Sequence, residues 1–370
     1  MIFKNCSYED FINKTRHKKI IQFGASSAWH YYLKTFSNIE ADVVDHTAFI
    51  VDNDLSKQGS SFEICGRILS IMAVDELKNV DDFVVLITVS LAYQEKICEQ
   101  LIRMNLPESI ECYSLPLMTY NPKEADNSCV DVYFQTHTQL VNVPKIHSFW
   151  FSGEEKPELY KRCIESWHQY CPEFEIIEWN TKNYDVTKNR YMREAFEHRK
   201  WAFVSDFARL DVIYNMGGIY MDMDVELTAS LQRLLYAECF FCRQEDGLLE
   251  LGSGFGAAKG NKLVGEMLAT YSDRRFVKEN GELDMIPQPE WLSGIFTQHE
   301  MKKCHDSQVI NQILCLSNDF ISCFTGNEND MKSKLGVHWH NGGWLEPAQR
   351  KLIRDSFSVK KKLIEQYFKS

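Results

Sequence analysis

The chain has 370 residues, a formal net charge of -11, and 25% charged against 44% hydrophobic residues. That balance is globular rather than disordered and long enough for two domains of ordinary size. It lacks the basic excess of a general nucleic-acid binder, so an anionic substrate must be held by local devices such as a metal or a single arginine.

Twelve cysteines are scattered without the paired spacing of a zinc site. Cys239 and Cys242 form a lone Cys-x-x-Cys and read as strand residues. Residues 1–13 mix polar and apolar side chains and give no signal peptide. The longest apolar run, 83–92, is too short to span a bilayer. Together these features point to the cytosol.

In chain order, Lys19 to Gly24 reads as a strand ending in a glycine, and Ser26 or Ser27 caps a helix over 28–36. Phe49 to Asp52 is a second strand. Phe83 to Val89 is a near-continuous apolar strand that suits a parallel sheet covered on both faces, and Leu91 to Met104 is a helix. Alternating strands and helices predict a small doubly wound α/β domain over 1–120. Its first turn has Gly24 alone and lacks the Gly-x-Gly-x-x-Gly phosphate fingerprint. Asp52 stands where a ribose-binding acid would sit, although a strand-end Asp also serves as a turn former. The run from Phe49 to Gly59 resembles a stretch of the small Rossmann-like domains attached to bacterial sugar-modifying enzymes. Residues 121–142 have neither helical nor strand period and read as a linker or an interdomain helix pair.

The second domain, 143–370, opens with a strand over Ile146–Phe151. A helix follows over Leu159–Tyr170, then a strand over Phe174–Trp179. A helix from Lys200 to Met216 buries Phe203, Phe207, Leu210 and Tyr214. Asp206 and Arg209 share another face three residues apart, as a surface ion pair or as a pair aimed at a ligand. Gly217-Gly218 stops the helix. The chain then turns into the segment on which the functional reading centres, Gly217 to Glu226. With period two, Ile219, Met221, Met223 and Val225 point one way; Tyr220, Asp222, Asp224 and Glu226 point the other. Paired hard oxygen donors in Asp222-x-Asp224 suit Mg²⁺ or Mn²⁺, ions that often complete their shell with substrate phosphates. Glu226 acquires no role. Leu251 to Gly260 is rich in small residues and reads as a pocket wall, Asp306 to Leu316 as a helix. The tail 348–370 reads as an amphipathic helix with a basic run, packed on the second domain or touching an anionic membrane at the inner face.

The opening segment 143–153, the Asp206/Arg209 pair, the Gly217–Val225 segment and a late His/Trp cluster occur in order. They resemble the DXD-containing sugar transferases of glycosyltransferase family thirty-two over residues 143–345. The resemblance implies a GT-A-type α/β domain preceded by the Rossmann-like one, and a metal-dependent, retaining transfer of sugar. The donor would be a nucleotide-sugar. The acceptor would be a saccharide or lipid-linked oligosaccharide in polysaccharide or surface-glycan synthesis. Residue by residue, it implies Trp150 stacked on the donor base and Asp206 and Arg209 on the donor sugar. Tyr220 and Asp222 fall at the ribose and metal, and Asp224 is the main metal ligand. His338 is the third ligand, with His340 as substitute, and Trp344 is the late donor-binding aromatic. A neutral imidazole fits Mn²⁺ better than Mg²⁺. The rival readings are a metal-dependent phosphohydrolase or nucleotidyltransferase, and a non-catalytic sugar-nucleotide-binding scaffold.

Overall fold

The structure, a computed structural model, describes residues 1–26, 39–119, 125–301, 303–323, 333–340 and 359–368. The chain divides into two compact units: residues 1–124 with 351–370, and residues 125–350. Among the described residues no helix is long and apolar enough to cross a membrane.

Among the described residues the first unit holds seven strands: β1 (Ile2–Phe3), β2 (Lys19–Phe23), β3 (Thr47–Val51), β4 (Ser61–Ile64), β5 (Arg67–Met72), β6 (Phe83–Ile87) and β7 (Glu111–Ser114). Their order is β1-β7-β6-β2-β3-β5-β4, parallel throughout except where β4 pairs antiparallel with β5. Strand alternation sends Ile20, Ile50, Val84 and Leu86 into one core, and Ile21, Phe23, Val51, Val85 and Ile87 into the other. Such two-sided burial explains why these strands read as unbroken apolar runs. The expected helix over 28–36 lies outside the described residues. Asp52 is committed to its own loop. One carboxylate oxygen accepts from the Ala25 N–H at 2.8 Å, the other from the Asp54 N–H at 2.9 Å, and Lys57 lies 3.4 Å away. That is the turn-forming role of a strand-end Asp.

The last described segment, 359–368, was expected on the second domain. It belongs to the first unit instead, where Leu363 and Phe368 are buried, Phe368 meets Phe3 edge-on at 5.2 Å and Lys362 pairs with Glu95 at 2.6 Å. Its apolar face found a core that sequence adjacency does not reveal.

The second unit holds β8 (Lys145–Phe149), β9 (Glu175–Trp179), β10 (Gly218–Tyr220), β11 (Val225–Leu227), β12 (Cys239–Arg243), β13 (Leu249–Ala257), β14 (Gln308–Ile310), β15 (Ile313–Leu316), β16 (Ile321–Cys323) and β17 (Gly336–His338). The main sheet runs β14-β15-β12-β13-β10-β8-β9, and β11-β17-β16 form a small second sheet. β9, β8 and β10 are mutually parallel, whereas β13 runs against both β10 and β12. Cys239 and Cys242 are buried strand residues, as read from the sequence.

One open expectation is resolved in this unit and one is corrected. The stretch 121–142 contains a helix, Ser128–Thr136, whose Val130 and Tyr133 enter the core. Gln308–Leu316 is a hairpin rather than a helix. Asn311 and Gln312 both take positive φ (49° and 67°), the backbone of a tight two-residue loop that pairs Ile310 with Ile313.

The Trp201–Met216 helix is buried on nearly every side, and this places Asp206 and Arg209 inside the protein. It ends at Gly217, with φ +72°. At Gly218 a Cβ would lie 2.9 Å from both the His147 ring and the Lys145 carbonyl, so only glycine lets β10 enter beside β8.

Candidate active site

The central segment begins as a strand, but the ladder stops at Tyr220; Asp222 to Asp224 form a turn closed by the Val225 N–H on the Asp222 carbonyl at 3.1 Å. The expected alternation of faces survives the turn. Ile219, Met221, Met223 and Val225 share one core, while Tyr220 enters the opposite one. The turn is fixed from several sides. The Asp222 N–H donates to the Gly252 carbonyl at 2.9 Å, and Ser148 Oγ donates to the Met221 carbonyl at 2.8 Å. Beyond it, Trp167 Nε1 donates to the Val225 carbonyl at 2.7 Å, anchoring β11 on the Glu158–Tyr170 helix.

β17 delivers His338. Its antiparallel register sets His338 opposite Val225, and the Trp339 N–H donates to the Asp224 carbonyl at 2.9 Å. His338 Nε2 then lies 3.2 Å from Asp224 Oδ1 and 3.9 Å from Asp222 Oδ2. One ligand atom from each of these three residues falls within 4.8 Å of the others, a second such group being Glu250, His338 and His340. Two carboxylates and an imidazole nitrogen form a donor set that suits Mn²⁺ and similar divalent ions. The His338 and His340 rings stack at 3.8 Å, and His340 Nε2 lies 3.0 Å from Cys323 Sγ. Burial disfavours a charged His338, but Asp224, Glu250 and Asp222 outweigh it and raise its pKa to about 9.

A second network leads away from Asp222 Oδ1. That oxygen accepts from the Tyr220 hydroxyl and lies 3.6 Å from Arg209 Nη2. Arg209 also pairs with Asp206 at 3.2 Å and lies 4.7 Å over the Tyr220 ring. The Arg209 and Asp206 side chains are only 7% and 8% exposed, so this is a buried pair and not the surface one the helix spacing also allowed. Burial pushes Asp206 up to about 6, although Arg209 and Arg274 pull it down. Arg209 remains a cation: burial opposes its charge, and Tyr220, Asp222 and Asp206 more than compensate. The Asp206 backbone is held too, by Gln288 Nε2 on its carbonyl at 2.7 Å. Asp222 is thus shared, with one oxygen on the Arg209–Tyr220 side and the other on the Asp224–His338 side.

The structure therefore brings Asp206, Arg209, Tyr220, Asp222, Asp224, His338 and His340 into one region. Residues 157–241 match the glycosyltransferase sugar-binding region containing a DXD motif. Asp222-x-Asp224 is the DXD of that region. The second unit that carries it is mixed α/β. Among solved structures, the PaToxG glycosyltransferase is similar at 14% identity and TM-score 0.34, over 46% of this chain and 76% of its own. A glycosyltransferase involved in glycosylation of the major capsid of PBCV-1 is similar at 10% identity and TM-score 0.35, over 57% of this chain and 98% of its own. No curated protein matches.

Trp150 follows the end of β8, at the same edge as the DXD turn that continues β10. Its indole N–H donates to the Glu154 carbonyl at 2.7 Å, and its ring stands edge-on to Tyr160 at 5.4 Å. Trp344 lies outside the described residues.

Sequence reasoning missed Glu250 and Glu226, and placed Gly252 only as part of a pocket wall. Glu250 on β13 is buried beside His338, 3.7 Å from its Nδ1. A lone acid in a run of glycine and apolar residues was the signal available. Gly252 belongs to the run read as a pocket wall, and it faces the carboxylates: a Cβ there would sit 2.6 Å from Asp222 Oδ2 and 3.1 Å from Glu250 Oε1. Glu226, to which no role was given, accepts from Trp339 Nε1 at 2.9 Å and pairs with Arg162 at 3.0 Å, tying β11 to the residue after His338.

Proposed function

We propose that this protein is a metal-dependent, retaining glycosyltransferase that moves a sugar from a nucleotide-sugar to a saccharide acceptor, free or lipid-linked, in polysaccharide or surface-glycan synthesis. The observation that carries the reading is the pairing of β11 with β17, which sets His338 Nε2 3.2 Å from Asp224 Oδ1 across more than a hundred residues of chain. A buried histidine aimed at a DXD carboxylate has a purpose in cation binding that a scattered acidic turn lacks.

Asp224, Asp222 and His338 would hold the divalent ion, Mn²⁺ in preference to Mg²⁺. When bound, such an ion neutralises charge on the diphosphate leaving group. The remaining work belongs to the chain. Trp150 stacks on the donor base at the edge where β8 and β10 end. Arg209 keeps Asp206 oriented towards the donor sugar and steadies Asp222, and Tyr220 fixes the same carboxylate through its hydroxyl. The bond from the anomeric carbon to the diphosphate oxygen breaks, and a bond to the acceptor hydroxyl oxygen forms on the same face. The acceptor proton passes to the departing diphosphate.

A panel of nucleotide-sugars incubated with the full chain and Mn²⁺ tests this reading. It predicts slow, metal-dependent release of nucleoside diphosphate from one donor without an acceptor, and faster release with a saccharide acceptor. Nucleoside triphosphate cleavage without any sugar transfer would favour a phosphohydrolase instead.

A further inference from the structure

His338 has two ring nitrogens, and the proposed site uses only Nε2. The other, Nδ1, lies 2.9 Å from Ser253 Oγ, and Ser253 Oγ donates to Glu250 Oε2 at 2.7 Å. The Ser253 hydroxyl has one proton, and an ionised carboxylate can only accept. With that proton committed to Glu250, Ser253 Oγ meets Nδ1 through a lone pair, so Nδ1 must carry a hydrogen. The chain of donors runs one way, from His338 Nδ1–H to Ser253 Oγ–H to Glu250. All three residues are buried, and Ser253 is fully so.

We propose that Ser253 and Glu250 are positioning residues that hold His338 through its Nδ1–H and aim its Nε2 at Asp222 and Asp224, where a bound cation takes the place of the Nε2 proton. The tautomer of a ligating histidine is set by the hydrogen bond at its other nitrogen, and that partner also raises its basicity. The inference rests on the proposed reading of Asp222, Asp224 and His338 as a cation site. It deepens that reading by giving the site a preference: nitrogen ligation favours Mn²⁺ over Mg²⁺, so the relay from β13 selects the metal. It also explains a carboxylate buried in a glycine-rich strand, which ion pairing with exposed residues does not.

The test is equilibrium binding of Mn²⁺ and of Mg²⁺ to the full chain, with pulsed EPR of bound Mn²⁺ to detect ¹⁴N coupling. Wild type should bind Mn²⁺ with a ¹⁴N coupling that His338→Ala removes. Ser253→Ala should weaken Mn²⁺ binding by about 10–100-fold, the usual loss when such a partner is removed. Mg²⁺ binding should change much less, so the Mn²⁺/Mg²⁺ affinity ratio falls. A general loosening of the fold would lower both affinities together and leave that ratio unchanged. Glu250→Gln keeps a hydrogen-bond acceptor and removes the charge, and should lower the ratio by a smaller amount. An unchanged ratio in both variants overturns the relay while leaving the cation site intact, provided Asp224→Ala still abolishes binding. A wild-type chain that takes up no Mn²⁺ overturns the site reading and the relay with it.

Discussion

Arg209→Met removes the cation from a pair whose side chains are both almost fully enclosed. The isostere keeps much of the packing over Tyr220, so the main consequence is electrostatic. Asp206 is left with a buried carboxylate and without its neighbour at 3.2 Å. Breaking a buried pair from one side typically costs about 3–5 kcal/mol, because the orphaned charge cannot recover its hydration. The link from Arg209 to Asp222 adds little to this cost, since Asp222 is one-third exposed and the separation is 3.6 Å. The double variant Asp206→Asn/Arg209→Met should recover most of the loss, because neither member of the pair is then left charged without the other.

The same variant has a pH signature. In the wild type burial already raises Asp206 to about 6, above the ordinary carboxylate value, so folding favours the protonated form. Without Arg209 it rises further. A group whose pKa is higher in the folded state contributes stability at low pH and loses it as pH rises. Arg209→Met should therefore be more stable near pH 5 than near pH 8, relative to wild type. Urea unfolding followed by tryptophan fluorescence is a suitable assay, because every tryptophan except Trp29 belongs to the second unit. A loss under about 1 kcal/mol at pH 8, or a double variant no more stable than the single one, would refute the claim that this pair is buried and mutually dependent.

Other substitutions test separate parts of the site. Trp150→Ala should raise the donor KM with little change in kcat; an unchanged KM would assign the ring to packing against Tyr160 alone. Gly252→Ala places a methyl group against Asp222 and Glu250, and should weaken Mn²⁺ binding by at least about tenfold while circular dichroism stays native. Equal metal affinity would show that the carboxylates relax around it at no cost. Glu226→Ala leaves the Trp339 indole N–H without its acceptor and should destabilise the second unit by about 1–3 kcal/mol, read by urea unfolding. No loss would make Glu226 a dispensable surface acid.

Local signals in the sequence located much of this architecture. Apolar runs marked β2, β6 and β8, and paired glycines marked the end of the Trp201–Met216 helix. Period two correctly separated Ile219, Met221, Met223 and Val225 from Tyr220. The failures involved information that is not local. Val309 to Leu316 is equally apolar as helix or strand, and the positive φ of Asn311 and Gln312 decides the matter. Asp206 and Arg209 look like a surface pair until the helix is seen to be covered on all sides. Glu250 and Gly252 gain meaning only when β13 lies beside β10, a pairing that no spacing along the chain encodes. The tail had an amphipathic signature but nothing to say which unit would cover it.

The central claim is that Asp224 and His338 form one cation site that holds a nucleotide-sugar. The most direct measurement is calorimetric titration of the full chain with the donor found in the nucleotide-sugar screen, with and without Mn²⁺, for wild type, Asp224→Ala and His338→Ala. The account predicts binding that requires Mn²⁺ in the wild type and is lost in Asp224→Ala and strongly weakened in His338→Ala, with folding intact. Donor binding of equal strength without metal, or unchanged in Asp224→Ala, would contradict it.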